Sequence, residues 1–372
     1  MNSRSSLSPQ PIDELCVVNH RRPLVRTLGA IADRNLTVGF IGGSITADGE
    51  KPWPDSVINW LVQTYPSVAI TAENAAIGAT GSDSACLRVD REIIDRGCHL
   101  TFVEYAVNDF EKESERRGRT REGLVRKLLA AGQDVVLVYT YRQDFYAEMI
   151  DGKMPASIAE FETIGVHYGL GSVWVGLHSL NEVRSGRMTM AEWLPDGLHP
   201  QTRGAWSYAE AIIAFLKNGL ATLAPITEPA HSLTAPLFPL NWQSMKTLPL
   251  SAVRTRGPWM IKRVHAINHV EQVLETHTPG ATLEFDFVGR GLAMIFDYGK
   301  RSAEFRYRID RGEWTAAVRE RPSWAGDRGM VRAFVVADEL APGPHQFEME
   351  VIHGNRPDCT GTECRLAVIG VI

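Results

Sequence analysis

Long apolar runs are missing from this sequence. None reaches the roughly 18 to 20 residues that a membrane-spanning helix needs, and the first residues lack the apolar core of a signal peptide. The formal net charge of −5 provides no electrostatic reason to bind nucleic acid or an anionic membrane. We therefore expect a cytoplasmic protein with neither nucleic acid nor membrane as a partner.

Cysteine is scarce and present in an odd number. The chain has five cysteines, which fits a reducing compartment better than a disulfide framework. Cys359 and Cys364, in "DCTGTEC", leave open a short closed loop or, with His353, a metal site, but their spacing matches no standard zinc pattern. We expect a structural role for these cysteines and no bound metal.

Nucleotide-binding motifs are also lacking. The stretch "VGFIGGSITADG" has two glycines and a serine after an apolar run, but it lacks the lysine of a phosphate-binding loop, and no G-x-G-x-x-G occurs. The chain is nevertheless long, at 372 residues, and 44% hydrophobic. That size and composition predict two domains with substantial cores.

Residues 34–220 alternate short β-rich runs with helical stretches, which is typical of a parallel sheet covered on both faces. We expect an α/β domain with a three-layer, flavodoxin-like fold, whose ligands lie at the carboxyl ends of the strands. The predicted strands are Leu36–Ile41, Val68–Glu73, His99–Tyr105, Asp134–Thr140 and Ser172–Leu177. The predicted helices are Asp55–Tyr65, Asp83–Arg96, Thr120–Ala131, Ala156–Tyr168 and Thr202–Lys217.

The remaining segments differ in character. Residues 1–33 are predicted to be an N-terminal extension, and the proline-rich segment 221–249 a linker. Residues 250–372 contain short period-two runs separated by turn residues, which predict a C-terminal, jelly-roll-like β-sandwich. The mixed charges of Glu111–Lys127 predict a solvated loop and helix face rather than a phosphate-binding patch.

Polar residues with complementary chemistry follow several predicted strands. Ser44 follows the first strand, Gly78 lies in a turn after the second, Asn108 follows the third, and Asp196 and His199 come after the fifth. A serine nucleophile needs a base to accept its proton, a carboxylate to orient that base, and donors for the oxyanion. These residues provide each part.

The spacing of Asp196 and His199 favours their cooperation. In a turn that enters a helix, residues i and i+3 share one side, so the carboxylate can hold one ring nitrogen while the other faces Ser44. Pro195 and Pro200 are expected to stiffen this turn. As an isolated serine, Ser44 fits a turn or helix cap equally well.

Residues 34–220 resemble the SGNH hydrolase superfamily, also called the GDSL-like esterases and lipases. The resemblance implies that Ser44 is the nucleophile, His199 the general base and acid, and Asp196 its orienting carboxylate. It also implies an oxyanion hole formed by the N–H groups of Ser44 and Gly78 and the amide of Asn108.

Two positions depart from the family pattern. Gly43 replaces the aspartate of G-D-S, and Ala106 replaces the first glycine of G-x-N-D, changes that affect loop shape more than chemistry. Glu104 and Asp109 flank Asn108 and are candidates for shaping the site. The pair His265 and His269 lies on a β-like segment and is not expected to share a metal.

SGNH domains joined to a β-sandwich occur among carbohydrate esterases. We therefore expect a serine esterase that deacylates, and specifically deacetylates, a carbohydrate through an acyl-serine intermediate, with no cofactor. The alternatives are a sugar O-acyltransferase and an inactive carbohydrate-binding protein. Four aromatic residues of the sandwich are candidates for stacking on sugar rings or for its core: Trp259, Tyr298, Trp314 and Trp324.

Overall fold

A computed structural model describes residues 15–47, 49, 52–221, 233–263, 270–325, 329–354 and 356–372. The chain divides into two compact units, Met1–Gln243 and Ser244–Ile372. The boundary between them lies within 221–249, the segment that the sequence predicts to be a linker. His265 and His269 lie outside the described residues.

The first unit is built on a six-stranded sheet. Its strands are β1 Val18–Asn19, β2 Asn35–Gly42, β3 Ala69–Asn74, β4 Leu100–Glu104, β5 Asp134–Val138 and β6 Gly171–Val173. Their order is β1-β6-β5-β4-β2-β3, with β1 antiparallel to β6 and all other pairs parallel. Without β1, this is the flavodoxin-type order 2-1-3-4-5, so the predicted fold class is confirmed.

Helices connect these strands. They are α1 Val25–Ala32, α2 Ser44–Ala47, α3 Trp53–Thr64, α4 Ser82–Val89, α5 Ser114–Ala130, α6 Tyr146–Ile150, α7 Ala156–His167, α8 Val175–Arg184, α9 Met190–Trp193 and α10 Thr202–Gly219. After α4 the chain continues as a π-helical turn, Asp90–Ile94. No helix in the described part of the chain combines the length and apolar character needed to cross a membrane.

The central strands explain why the sheet forms. Every residue of β4 and of β5 is buried, as expected for strands covered by helices on both faces. Parallel strands of this kind are nearly continuous apolar runs rather than alternating ones. The exceptions are Thr101 within β4 and two charged residues at strand ends, Glu104 and Asp134.

The structure corrects the prediction for Ser172–Leu177. The strand ends at Val173, and α8 begins at Val175. A short apolar run fits a buried strand or a buried helix equally well. Here Gly176 packs closely against the chain at Thr140 and Tyr141, since a Cβ at Gly176 would lie 2.8 Å from Tyr141 Cβ.

Part of the predicted N-terminal extension, 1–33, belongs to the fold of the first unit. Strand β1 pairs with the edge strand β6. Helix α1 is anchored by Thr27, whose N–H and hydroxyl donate to Asp134 Oδ2 at 2.8 and 2.7 Å. A two-residue strand and an eight-residue helix give too weak a local signal to be recognised without these tertiary contacts.

The prediction of a solvated loop and helix face for Glu111–Lys127 holds for the loop and first turn, 111–116, and is wrong for the helix from Arg117 onward. Most of α5 from Arg117 onward is buried. Arg121 is fully buried and donates to Asp109 Oδ2 at 3.0 Å, to the Ser157 carbonyl at 2.7 Å and to the Tyr105 carbonyl at 2.9 Å. Charged side chains can be buried when they are paired in this way, and sequence spacing alone does not reveal such partners.

The second unit consists of two antiparallel sheets. One has the order β15-β12-β17-β10-β9, with β7 also paired to β17, and the other has the order β14-β13-β16-β11-β8. The strands are β7 Lys246–Leu248, β8 Arg254–Arg256, β9 Met260–Lys262, β10 Val273–Thr276, β11 Thr282–Gly289, β12 Leu292–Tyr298, β13 Glu304–Ile309, β14 Thr315–Ala317, β15 Met330–Ala337, β16 Gly343–Ile352 and β17 Cys364–Val371.

Side chains from both sheets share one core. Phe296 of β12 stacks on Phe305 of β13, with ring centroids 4.9 Å apart, and Leu366, Phe285 and Phe347 belong to the same cluster. The predicted C-terminal β-sandwich is therefore confirmed. Its first strand, β7, lies within the segment predicted to be a linker.

The four candidate stacking aromatics differ in exposure. Tyr298 is buried in the core, and Trp259 packs against that core. Trp314 is half-buried, with the guanidinium groups of Arg306 and Arg308 at 4.8 and 4.6 Å from its ring. Trp324 is 62% exposed and is the member whose ring is most accessible.

Candidate active site

Ser44 lies at the point where the strand order of the sheet reverses. It is the first residue of α2 and follows β2, which lies between β3 and β4. At this point the chain connections leave in opposite directions, and open α/β sheets bind their ligands in the resulting crevice. As the first residue of the helix, Ser44 has a backbone N–H with no partner inside α2.

A chain of hydrogen bonds joins Ser44, His199 and Asp196. Ser44 Oγ lies 2.9 Å from His199 Nε2, and His199 Nδ1 lies 2.7 Å from Asp196 Oδ2. An Nδ1–H that donates to the carboxylate leaves Nε2 as the acceptor for the serine hydroxyl. This geometry allows a proton to pass from Ser44 to the imidazole.

The turn between α9 and α10 presents Asp196 and His199 together. Asp196 Oδ1 accepts the backbone N–H groups of Leu198 at 2.9 Å and His199 at 2.7 Å, a side-chain-to-backbone turn. Gly197 adopts a positive φ of 78°, and its carbonyl accepts the N–H of Gln143 at 2.9 Å. The turn is therefore tied to the segment after β5.

Hydrogen bonding keeps Asp196 anionic. Its partial burial acts to raise the pKa, but the N–H and ring of His199 and the N–H of Leu198 outweigh burial and hold the pKa below its ordinary value. The carboxylate is therefore ionised at neutral pH and can orient the imidazole.

The segment that carries Gly78 is attached to the end of β2. The N–H of Ala75 donates to the Phe40 carbonyl at 2.8 Å, and the N–H of Ile77 donates to the Gly42 carbonyl at 3.0 Å. Gly78 follows directly. The next residue, Ala79, has a positive φ of 59°, a conformation that is costly for a residue with a side chain and that often occurs at functional sites.

Asn108 packs against Gly43. A Cβ at Gly43 would lie 1.9 Å from Asn108 Oδ1. With Asn108 in this position, no residue larger than glycine fits at 43 without displacing the amide. This contact gives a physical reason for glycine at position 43.

Asp109, next to Asn108, connects the loop that carries Asn108 with the segment that follows Gly78. It is fully buried and accepts the N–H and hydroxyl of Ser82 at 3.1 and 2.6 Å as well as the guanidinium of Arg121. Burial acts to raise the pKa of Asp109, but Lys112, Arg121 and the Ser82 hydrogen bonds hold it below its ordinary value. Asp109 thereby ties the Asn108 loop to the segment that follows Gly78.

A cavity of about 550 Å³ adjoins the Asp196 turn. Its lining is mainly apolar, including Leu180, Met190 and Leu194, with Gln143 and Arg184 as polar groups, and neither the nucleophile nor the imidazole of the candidate site lines it. Its volume lies in the range of small-molecule sites.

Two contacts around the site were not predicted from the sequence, although Glu104 was a candidate for shaping it. One is the burial of Arg121 under the Asn108 loop, since its charge run resembled a solvated helix. The other is the hydrogen bonding of Glu104 to Gly43 and Thr46. The available signal was a glutamate ending an otherwise apolar strand, "LTFVE".

Within the described residues, no group of three or more His, Cys, Asp or Glu side chains is arranged to hold a metal ion. All five cysteines are free thiols. Cys359 is buried and donates from Sγ to the Ser302 carbonyl at 3.0 Å.

Comparison with known proteins gives a structural match but no sequence match. No family model and no curated protein matches this chain. A two-domain esterase (CEX) active on acetylated mannans, co-crystallised with mannopentaose, superposes with a TM-score of 0.75 at 21% identity, covering 94% of this chain and 95% of that one. The same esterase in another structure has a TM-score of 0.74 at 20% identity, with coverage of 95% and 96%.

A third structure, the acetylxylan esterase Axe2 from Geobacillus stearothermophilus, covers 49% of this chain with a TM-score of 0.43 at 18% identity. The first two matches cover nearly the whole length of both chains. They show that this chain has the fold of that two-domain protein.

Proposed function

We propose that this chain is an SGNH-type serine esterase that removes acetyl groups from a carbohydrate. The observation that carries the proposal is the hydrogen-bonded chain of Ser44, His199 and Asp196, with links of 2.9 and 2.7 Å, at the carboxyl edge of the sheet. Ser44 lies 155 residues from His199 in the sequence, yet it meets His199 and Asp196 there in the order that nucleophilic catalysis needs.

In the first half of the reaction, Ser44 Oγ attacks the ester carbonyl carbon while its proton moves to His199 Nε2. The negative charge that develops on the carbonyl oxygen is stabilised by the N–H groups of Ser44 and Gly78 and the amide of Asn108. The C–O bond to the sugar then breaks, and His199 returns its proton to the departing sugar oxygen. The product is a free sugar hydroxyl and acyl-Ser44.

In the second half, water replaces the sugar. His199 accepts a proton from the water as its oxygen attacks the acyl carbon, and the same donors stabilise the oxyanion. The acyl bond to Ser44 breaks, Ser44 Oγ regains a proton from His199, and acetic acid leaves. Asp196 remains ionised throughout and stabilises the imidazolium that forms twice per turnover.

The substrate class is supported by the fold. The two-domain esterase that superposes over nearly all of this chain is active on acetylated mannans. Fold alone does not define a substrate, because one fold hosts many chemistries. The proposal therefore rests on the combination of that fold with the hydroxyl, imidazole and carboxylate found here.

The test is to incubate the wild-type chain with p-nitrophenyl acetate and with acetylated manno- and xylooligosaccharides, and to measure released acetate. We expect acetate release from both kinds of ester and loss of release in Ser44→Ala. Transfer of acetyl to an added sugar without free acetate would support the O-acyltransferase alternative. Sugar binding without turnover would support the carbohydrate-binding alternative and contradict the esterase.

A further inference from the structure

Glu104 places a carboxyl group directly under the turn that carries Ser44. It is the last residue of β4 and pairs in register with Gly42, the last residue of β2. Its Oε2 accepts the Gly43 N–H at 3.3 Å and the Thr46 hydroxyl at 3.1 Å. Its Oε1 accepts the Thr140 hydroxyl at 2.8 Å.

The sequence around Ser44 makes room for this carboxyl group. A Cβ at Gly42 would lie 2.9 Å from Glu104 Oε2 and 2.8 Å from Thr46 Oγ1. The two contacts on Oε2 come from either side of the nucleophile, since Gly43 precedes Ser44 and Thr46 lies two residues after it. One oxygen atom therefore holds both ends of the turn.

Ion pairing does not explain a glutamate at this position. Glu104 is fully buried, and among the residues that the structure describes no Lys or Arg forms an ion pair with it. Burial raises the pKa of Glu104 above its ordinary value, against the effect of its three hydrogen bonds. An apolar residue of similar size would avoid this desolvation cost but would leave the Gly43 N–H and the Thr46 and Thr140 hydroxyls without this acceptor. What the carboxyl group provides is therefore these three hydrogen bonds, two of which lie on the turn that carries Ser44.

We propose that Glu104 is a positioning residue for hydrolysis at Ser44. By accepting from Gly43 and Thr46, it sets the direction of the Ser44 backbone N–H toward the oxyanion and of Oγ toward His199. The inference rests on the proposed esterase function and adds to it a group that touches neither substrate nor the reacting atoms.

The test compares Glu104→Leu with Glu104→Gln. Leucine fills similar volume but accepts no hydrogen bond, whereas the glutamine carbonyl can still accept from Gly43 and Thr46. Because a misplacement of about 1 Å can cost about 100-fold in rate, we expect Glu104→Leu to lower kcat on p-nitrophenyl acetate about 10- to 100-fold with KM nearly unchanged. Glu104→Gln should retain most of the wild-type kcat.

A second pair of variants guards against misfolding of Glu104→Leu. Thr46→Val and Thr140→Val each remove one hydroxyl from the same carboxyl group, but only Thr46 lies on the nucleophile turn. We expect the larger fall in kcat from Thr46→Val. The rate at which a fluorophosphonate labels Ser44 should fall in the same order.

Glu122→Leu is the matched control. Glu122 is also a buried carboxyl group, and it accepts the N–H groups of Leu237 and Phe238 at 2.6 and 2.7 Å, away from the site. This variant should lower the melting temperature while leaving kcat of the folded protein unchanged.

The outcomes separate the two proposals. An unchanged kcat in folded Glu104→Leu, or equal effects of Thr46→Val and Thr140→Val, would overturn the positioning role alone. A wild-type chain that neither hydrolyses esters nor reacts with the fluorophosphonate would overturn the esterase proposal and the role of Glu104 with it.

Discussion

Single residues around Ser44 show why the turn has its unusual composition. Gly42 leaves space for the Glu104 carboxyl group, and Gly43 leaves space for the Asn108 amide. A Cβ atom at either glycine would lie within 3.0 Å of another heavy atom. The two glycines are therefore required by what packs against them, beyond the flexibility that glycine gives a turn.

Removing the nucleophile or the base should abolish turnover. We expect Ser44→Ala and His199→Ala each to lower kcat on p-nitrophenyl acetate by about 10⁴- to 10⁶-fold, because the two residues act in one proton transfer. Circular dichroism should show an unchanged fold, since the hydroxyl has its role only in the reaction. Near-normal turnover by folded Ser44→Ala would disprove the acyl-serine mechanism.

Gly43 and Asn108 should be energetically coupled. Asn108→Ala should lower kcat about 10²- to 10³-fold through loss of an oxyanion donor, with little change in KM. Gly43→Ala should also lower kcat, because its Cβ displaces the Asn108 amide. The double variant should be no worse than Asn108→Ala alone, and a fully additive loss would argue against this contact as the cause.

Glu104 should make stability depend on pH. Burial, and in smaller measure the Asp109 carboxylate, raise the pKa of Glu104 in the folded chain. A carboxyl group of this kind contributes stability that is present below its ordinary pKa and is lost as pH rises through the folded value.

Glutamine cannot ionise, so the melting temperature of Glu104→Gln relative to wild type should increase as pH rises above about 4.3. Calorimetry of both proteins from about pH 4 to 8 measures this difference. A difference independent of pH would contradict the raised pKa.

At the scale of elements, the bounds of the strands were easier to predict from the sequence than the burial of the helices that cover them. The strands β2 to β5 lie within one or two residues of their predicted bounds. For β4 and β5 the reason is that buried parallel strands are mostly apolar runs with clear ends, whereas β3 is largely exposed. The burial of α5 was not predicted, because its mixed charges are typical of a solvated helix. Its partners, Asp109 and Ser157, lie 12 and 36 residues from Arg121, and no local pattern identifies them.

Breaking the buried ion pair of α5 should destabilise the first unit strongly. Arg121→Met removes the fully buried guanidinium that pairs with Asp109, which keeps only Lys112 as a charged partner, at 3.1 Å. Removing one member of a buried ion pair costs up to about 3 to 5 kcal/mol in the free energy of unfolding. Urea denaturation measures this loss. Glu115→Ala on the same helix, at an exposed side chain, should change the free energy by no more than about 0.5 kcal/mol. Equal effects of the two variants would contradict the structural role of Arg121.

At the scale of the whole molecule, the chain combines an α/β unit that contains the candidate site with a β-sandwich. Of the aromatic residues considered for sugar stacking, Tyr298 is accounted for by the sandwich core and Trp259 packs against it. Trp324 remains the best candidate because 62% of its surface is exposed. The role of the sandwich in substrate recognition stays a prediction.

Trp324→Ala tests that role. If its ring stacks on the glycan, kcat/KM on acetylated mannooligosaccharide should fall about 5- to 150-fold, taking a stacking contribution of about 1 to 3 kcal/mol. Hydrolysis of p-nitrophenyl acetate should not change, because a small aryl ester needs only the Ser44 site. Val318→Ala, at another exposed apolar side chain of the sandwich, is the control. If Trp324→Ala changes kcat/KM equally on both substrates, or on neither, Trp324 does not take part in recognition of the glycan.

The sequence by itself determined the alternation of strands and helices, the change to a β-sandwich, and the candidates Ser44, Asp196 and His199. These features depend on local periodicity and on residue types at fixed spacing. The tertiary structure alone decided that Glu104 and Asn108 pack against the two glycines, that the charges of α5 from Arg117 onward are buried, and that Tyr298 belongs to the core. Each of these depends on partners distant in sequence, such as Glu104 and Gly43, 61 residues apart, which only the paired strands bring together.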